Sequence, residues 1–464
     1  MSALGVVRHT LTARLKSLRG SPHTRTSFLN AVCGVADYLA QPLAMLLAAP
    51  FFVHRLGLVQ YGLWMLANAA VGSGGLLSTG FSDMAVKYVA MHRGRSDWNG
   101  ITEVVRAALA VNLVLGVGVA LLLWIAAPYA ALHVFAVQPE LRPVFVRALN
   151  IGCAIVIARS LESVLISALR AFEKYRPAVE ITVCIRITTI LVAVAFVARG
   201  GGVVSIMAVT LVATVAGALL QVIAIRRNVG PIYLLPSWNA TVLRKISPFG
   251  GFTGLQALSG IIFSQADRLI VGAFLGASTV AYYSICTQLA QPIHGMVASG
   301  LHFLFPHLSA RHSRTSIKSL RSAITTAFWF NTALVLLFCL PVACFSKPIL
   351  SAWMGSAFAE QTWPVLSIIA VGFGLVGMNV TGHYALLAVG AARYVTFLNL
   401  AAGAITVSAV AILLPRFGLM GAAVGRLAYG PITWLVYYRL RSLMIKDGPN
   451  TAVVVPAFAM STYE

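Results

Sequence analysis

The sequence predicts an all-α polytopic membrane protein of about twelve transmembrane helices, built as two six-helix lobes related by a parallel internal repeat. Three observations predict it. The 464 residues are 59% hydrophobic and 10% charged, where a soluble chain carries roughly 25% charged residues. The apolar residues fall into many continuous runs, longer than the ~18 residues that mark a membrane-crossing helix. The punctuation between those runs recurs in the second half of the chain. The runs are continuous and not alternating, which excludes a transmembrane barrel.

The chain divides as follows. Residues 1–29 form a basic cytoplasmic segment in which Val7, Leu11, Leu15 and Leu18 recur at helical spacing, with Arg8, Arg14, Lys16 and Arg19 on the other faces. Two readings stand here: an amphipathic helix on an anionic leaflet, or a disordered basic tail that only sets orientation. Residues 1–25 lack a continuous apolar core, so no cleavable signal peptide is expected. Six spans over roughly 30–53, 63–86, 106–127, 144–169, 177–198 and 203–225 make an N-terminal lobe, 30–225. A cytoplasmic linker, 226–249, carries the break VGPIYLLPSW. Six more, roughly 250–275, 280–305, 322–345, 364–389, 394–414 and 419–438, make a C-terminal lobe, 250–440, followed by a cytoplasmic tail, 441–464. The longest loops between spans are 225–249 and 346–363.

The net charge of +22 would suggest nucleic acid in a soluble protein. Here the basic residues sit in short loops, which is the pattern of membrane topology. With the N-terminus in the cytoplasm, that side collects 23 Lys and Arg; the opposite side collects 6, namely Arg55, Arg142, Arg147, Arg199, Lys347 and Arg416. Both termini are therefore expected in the cytoplasm, and no nucleic-acid partner is expected.

The repeat is read from short matches in order. RLGLVQYGLW (55–64) has a counterpart in FLGASTVAYYS (274–284), and Leu56-Gly57 maps onto Leu275-Gly276 with an offset of 219. The same offset maps Tyr175 onto Tyr394, and RGGGVVS (199–205) resembles RFGLMGAA (416–423). Parallel repeats of this kind suit alternating access at a site between the halves. Gly272/Gly276 and Gly421/Gly425 each read as a close-packing GxxxG pair. Gly372, Gly374, Gly377 and Gly382, with Asn379 and Thr381, would let span 10 bend or unwind.

Ionisable residues inside spans are costly and default to cavities, partners or pathways. They are Asp37 in span 1, Arg159 and Glu162 in span 4, Glu180 and Arg186 in span 5, Asp267 and Arg268 in span 7, and Arg426 in span 12. Arg159 and Glu162, three apart, read as a local ion pair. Asp267 and Arg268 point about 100° apart and cannot satisfy each other. Arg159, Arg186, Arg268 and Arg426 are the candidates for binding an anionic headgroup, because the guanidinium fork matches phosphate and stays charged. Asp37, Glu162 and Asp267 are the candidates for coupling or gating. Asp267 is expected to pair across the lobe interface with an arginine such as Arg159 or Arg426, with the alternative that it holds one lobe together by a static pair.

Catalysis is poorly supported. The chain has no HExxH, GxSxG or Walker-type loop, so neither a catalytic site nor an ATP motor is expected. The six cysteines show no ligand spacing, and no metal site or cofactor is expected. Energy would come from a proton or sodium gradient or the membrane potential.

Three stretches resemble a known family. PFFVHRLGLVQYGLWML (50–66), SQADRLIVGAFLGASTVAYYSICTQL (264–289) and LISALRAFEKYRPA (165–178) resemble the span 1–2 junction, the span 7–8 junction and the span 4 exit of bacterial polysaccharide transporters. These belong to the multidrug, oligosaccharidyl-lipid and polysaccharide exporter superfamily. The resemblance implies two lobes in a V around a central cavity, in the bacterial inner membrane. It implies a flippase for undecaprenyl-pyrophosphate-linked oligosaccharide in O-antigen, capsule or exopolysaccharide assembly. Lipid-linked oligosaccharide and membrane lipids would be its partners, with a polysaccharide polymerase and a chain-length regulator as candidates beside them. The rival readings are a peptidoglycan lipid-precursor flippase, which usually has two further spans that residues 450–464 leave no room for, and an ion-coupled multidrug or small-solute antiporter, against which the intramembrane arginines weigh.

Overall fold

The computed structural model describes the backbone of residues 22–230, 232–301 and 317–446, with Leu308, and the side chains of 40–75, 84–230, 232–244, 254–301 and 320–443, with Ser82 and Leu308. The described residues are helical almost throughout, with no strand. Helix α1 runs Pro22–Gly94, α2 Trp98–Tyr129, α3 Arg142–Ala171, α4 Tyr175–Ala198, α5 Val203–Asn228, α6 Ala240–Ile261 and α7 Asp267–Gly300. They are followed by α8 Ile317–Cys344, α9 Ser346–Met354, α10 Ser356–Met378, α11 Val380–Ala388, α12 Ala392–Leu427, α13 Tyr429–Thr433 and α14 Leu435–Lys446. Among the described residues nine helical stretches are long and apolar enough to cross a membrane.

Three of those stretches double back on themselves at a glycine. Gly57 (φ +79°, ψ 162°), Gly276 (φ +79°, ψ 179°) and Gly418 (φ +58°, ψ −141°) interrupt α1, α7 and α12. The arms then run antiparallel. Phe52 meets Trp64 edge-on at 5.0 Å across Gly57, Gly272 lies against Val280 across Gly276, and Gly421 and Gly425 lie against Leu413 and Val410 across Gly418. Counted arm by arm, the nine stretches hold twelve helical segments among the described residues. Gly57 and Gly276 occupy backbone space that is essentially reserved for glycine, so each leucine-glycine dipeptide carries its turn in its own chemistry.

The repeat is written into the backbone. Positive φ recurs in pairs at Gly57 and Gly276, Ala136 and Gly355, Glu173 and Gly390, and Gly200 and Gly418. The separations are 217 to 219 residues throughout.

Packing partners follow the halves. α1, α2, α3, α4 and α5 pack among themselves; α7, α8, α10 and α12 do the same; α1 joins the two sets through α6 and α7. The second arm of α1 runs antiparallel to the start of α7: Gly62 faces Ala277, Leu66 faces Gly272, and Gly72 faces Gln265. A Cβ at Gly62 would collide with the Ala277 carbonyl, so this glycine sets how closely the halves meet. Phe52, Trp64 and Leu66 share one core with Val271, Val280 and Tyr283 across that seam. Trp353 of α9 adds a 2.9 Å hydrogen bond to the Leu46 carbonyl of α1.

Several expectations change. Residues 346–363, read as a loop, are helical in α9 and the start of α10, with only Gly355 between. The linker 226–249 is helical at both ends, through Asn228 and again from Ala240. The GxxxG readings give way to turn chemistry: Gly276 is itself the turn, and Gly421 and Gly425 pack the two arms of one hairpin. Span 10 breaks at Asn379, between α10 and α11. The carbonyls freed there are taken by neighbours: Asn331 Nδ2 donates to Gly377 and Met378 at 3.0 and 3.1 Å, Tyr437 donates to Met378 at 2.8 Å, and Trp434 donates to Leu375 at 2.9 Å. A broken helix is tolerated inside a bilayer only where such partners exist. The N-terminal segment up to residue 21 and the tail beyond residue 446 lie outside the described residues.

Candidate functional site

The charged centre of the molecule forms at the start of α7. A single wide turn, Ile262–Ala266, precedes Asp267. Such π turns re-aim the side chains that follow them. Asp267 Oδ2 pairs with Arg426 Nη1 of α12 and also accepts from Tyr283 Oη at 2.8 Å. Arg426 Nη2 donates to the Phe263 carbonyl at 3.3 Å. Its guanidinium lies over the rings of Phe373 and Phe263, at 4.7 and 5.1 Å. Asp267 is 4% exposed, Arg426 7% and Tyr283 0%, so the group is sealed. A neighbouring space of about 10 Å³, walled in part by Thr406, Val410 and Tyr429, has room for about one water.

Every member of this group lies in the C-terminal half. The expectation that Asp267 reaches across the lobe interface is therefore corrected. Its partner is Arg426, one of the two arginines expected, but on a helix of the same half. The physical reason is the π turn and the 100° step between neighbours: they send Asp267 inward and Arg268 toward the seam.

Arg268 is the residue that faces the other half. It is half-buried. Its Nη2 donates to Thr287 at 3.1 Å, and its charge acts on Tyr61 of α1. Tyr61 in turn hydrogen-bonds Gln288 at 3.4 Å across the seam. The Nε of Arg268 is buried without a hydrogen-bond partner among the described residues.

A second cluster occupies the N-terminal half. Arg159 of α3 lies beside Gly75 of α1, and the Glu162 carboxylate lies against Gly217 of α5. Arg159 and Arg186 both act electrostatically on Glu162. All three are half-buried. Arg159 and Glu162 are coupled through space without a direct ion pair, so the expected local pair is not formed. Glu180, expected inside the membrane, is instead exposed and paired with Arg176 at 2.6 Å near the start of α4. The side chain of Asp37 lies outside the described residues.

The structure thus gathers Arg426 with Asp267, and Arg159 with Glu162 and Arg186, and leaves Arg268 at the seam between them. Sequence reasoning missed Tyr283, Phe263 and Phe373. Tyr283 carried a signal, as one of two tyrosines opening span 8 in the repeat. The two phenylalanines carried none, since phenylalanine is ordinary in a span. Among the described residues no group of His, Cys, Asp and Glu could hold a metal ion.

The family model described as polysaccharide biosynthesis protein matches residues 79–318, just over half of the chain. A provisionally named O-antigen transporter of Shigella flexneri is 22% identical over 429 residues, covering 90% of this chain and 96% of its own length. Among solved structures, an inward-facing multidrug-resistance transporter of the MATE family superposes with a TM-score of 0.75 at 16% identity, over 89% of this chain and 98% of that one. An outward-facing MATE transporter gives 0.67 at 18% identity, over 93% and 98%. A superfamily transporter from Pyrococcus furiosus, described as having a binding pocket of reversed polarity, gives 0.65 at 17% identity, over 94% and 98%. At these identities the structural likenesses speak for the fold alone.

Proposed function

Because this chain belongs to the polysaccharide biosynthesis protein family, on the polysaccharide-transporter branch of the multidrug, oligosaccharidyl-lipid and polysaccharide exporter superfamily, we propose that it carries a lipid-linked oligosaccharide across the bacterial inner membrane by alternating access. The cargo is an undecaprenyl-pyrophosphate-linked repeat unit for O-antigen, capsule or exopolysaccharide. It moves from the cytoplasmic to the outer leaflet between two lobes, while both termini of the protein stay in the cytoplasm.

The observation that carries this reading is Arg268. It stands at the seam between the halves, and the neighbouring carboxylate of Asp267 is already taken by Arg426 and Tyr283. Among the described residues the Nε of Arg268 has no hydrogen-bond partner. A pyrophosphate supplies what that group lacks, with paired acceptor oxygens and a charge of opposite sign. Arg159 and Arg186 extend the positive field into the N-terminal half, with Glu162 beside them. In this reading Arg268, Arg159 and Arg186 hold the headgroup. Glu162, between two arginines, is the group that takes up a proton or cation when the headgroup leaves. Arg426 and Asp267 brace the C-terminal half.

The test is deletion of the gene, complementation with variants, and assay of surface polysaccharide together with the leaflet that holds the lipid-linked oligosaccharide. Arg268→Ala inserts normally and leaves the oligosaccharide on the cytoplasmic leaflet. Arg268→Lys restores part of the export, since it keeps the charge and loses the fork. Unchanged polysaccharide with altered sensitivity to organic cations in the deletion strain would replace this reading by the multidrug one.

A further inference from the structure

The segment between α5 and α6 is the covalent link between the two halves, and its exposed side chains are the wrong kind for water. Tyr233 is 73% exposed, Leu235 74% and Trp238 65%. Nothing among the described residues covers them.

Their depth can be read from α2. The helical stretch Trp98–Val134 holds 37 residues, or about 55 Å at 1.5 Å per residue, well beyond the ~30 Å of a bilayer core. One end must project. Arg106 marks where: residues 98–105 include Glu103, whereas 107–130 contain no charge. Arg106 therefore sits at the membrane boundary, with its stem along apolar helix and its head at the headgroups. The linker is pinned to this residue. Arg106 Nε donates to the Leu235 carbonyl at 3.0 Å, and the Ser237 N–H donates to the Arg106 carbonyl at 3.2 Å. Those two bonds hold Leu235 and Ser237 at the boundary itself.

The charges that flank it along the chain are basic. Arg226 and Arg227 close α5, and Arg244 lies in the second turn of α6; all three are exposed. A tyrosine, a leucine and a tryptophan at the boundary, flanked by arginines, is the composition of a membrane-interface anchor. Each basic residue near an anionic surface adds about 1 kcal/mol of attraction.

We propose that residues 232–238 are seated in the headgroup region of an anionic leaflet, with Tyr233, Leu235 and Trp238 as the inserted side chains, so that the link between the halves is a pivot held on the membrane surface. The occupant of this patch is phospholipid. The proposal stands independently of which cargo the protein carries.

The test uses the full-length protein in vesicles of anionic phosphatidylglycerol, and compares its tryptophan fluorescence with that of Trp238→Phe. The difference isolates Trp238, whose side chain takes no part in the charged clusters. It is expected to be quenched strongly by phosphatidylglycerol brominated near the headgroup, weakly by lipid brominated near the chain end, and weakly by aqueous iodide. The headgroup quenching is expected to weaken when phosphatidylcholine replaces the anionic lipid. Strong iodide quenching without lipid quenching would place the segment in water and overturn the proposal. Protection from both quenchers would show a protein surface over the patch, such as a second copy of the chain, and would overturn it equally.

Discussion

Leu46 and Trp353 are joined by a 2.9 Å hydrogen bond made possible by Pro50. A proline has no N–H, so in a helix it leaves the carbonyl four residues earlier without its partner. In α1 that carbonyl belongs to Leu46. The indole of Trp353, 307 residues away in the other half, supplies the missing donor. A helix defect on one side of the seam is thus the acceptor for a contact from the other.

This contact biases which conformation the halves adopt. Trp353→Phe keeps an aromatic ring and removes the donor, at a cost of about 1 kcal/mol, or about fivefold in a conformational equilibrium. Spin labels placed on α1 and α9 should show the separated population rising by that factor. An unchanged distance distribution would mean the bond follows the closure without helping to hold it.

Asp267→Asn should cost stability along with transport. It leaves the buried Arg426 without a counter-charge, a loss of about 3–5 kcal/mol. Thermal unfolding in detergent should show it. Pairing the change with Arg426→Gln should recover a large part, because the uncompensated charge is gone. A stable Asp267→Asn protein that fails only in transport would instead make this aspartate a coupling group.

Gly57→Ala and Gly276→Ala should each destabilise by about 1–3 kcal/mol, the range for a side chain forced into glycine-only backbone. A Cβ would meet no neighbour within 4 Å at either site, so the cost is conformational and should be similar for both. Gly62→Ala, with a normal backbone, should fail differently, by pushing the halves apart against Ala277. Melting curves separate the first two from the third when combined with the label distances above.

Asp97 caps α2, accepting from the Gly100 N–H at 2.9 Å and contacting His92 Nδ1 at 2.8 Å. The Gly100 N–H first, and the His92 hydrogen bond second, hold its carboxyl below the usual range. A folded-state value lower than the unfolded one contributes stability above the unfolded value, about pH 4, and loses it as pH falls through the folded value. The melting-temperature gap between the wild type and Asp97→Ala should therefore be open at neutral pH and close on acidification. A gap independent of pH would assign the effect to helix propensity.

Much of this was legible in the chain. Leu56-Gly57 and Leu275-Gly276 announced both their turns and their equivalence, because only glycine takes that backbone. The clustered glycines around Asn379 announced a break, though not that Asn331, Trp434 and Tyr437 would fill it. Partner choice was harder. Asp267 and Arg426 lie 159 residues apart, and nothing local distinguishes Arg426 from Arg159 as the arginine that Asp267 meets; the decision rests on how α7 and α12 pack. Arg159 and Glu162 had ideal spacing for a local pair, yet spacing alone does not say that Gly217 offers the carboxylate room on another helix. The helix α9 was missed because its nine residues, amphipathic as they are, make only about two and a half turns and fall far short of a span.

The recurring bends have a consequence for how the molecule came to be unequal. Stepping 219 residues back from Asp267 and Arg268 reaches Ala48 and Ala49, and from Arg426 reaches Met207; stepping 219 residues forward from Arg159, Glu162 and Arg186 reaches Met378, Thr381 and Ile405. Neither charge cluster has a twin. The duplicated copies kept their corners and divided the ionic labour, one keeping a dry brace and the other a half-open triad. They have become paralogues within a single polypeptide, and a chimera carrying two copies of either half would inherit every turn and lack one of the two trades.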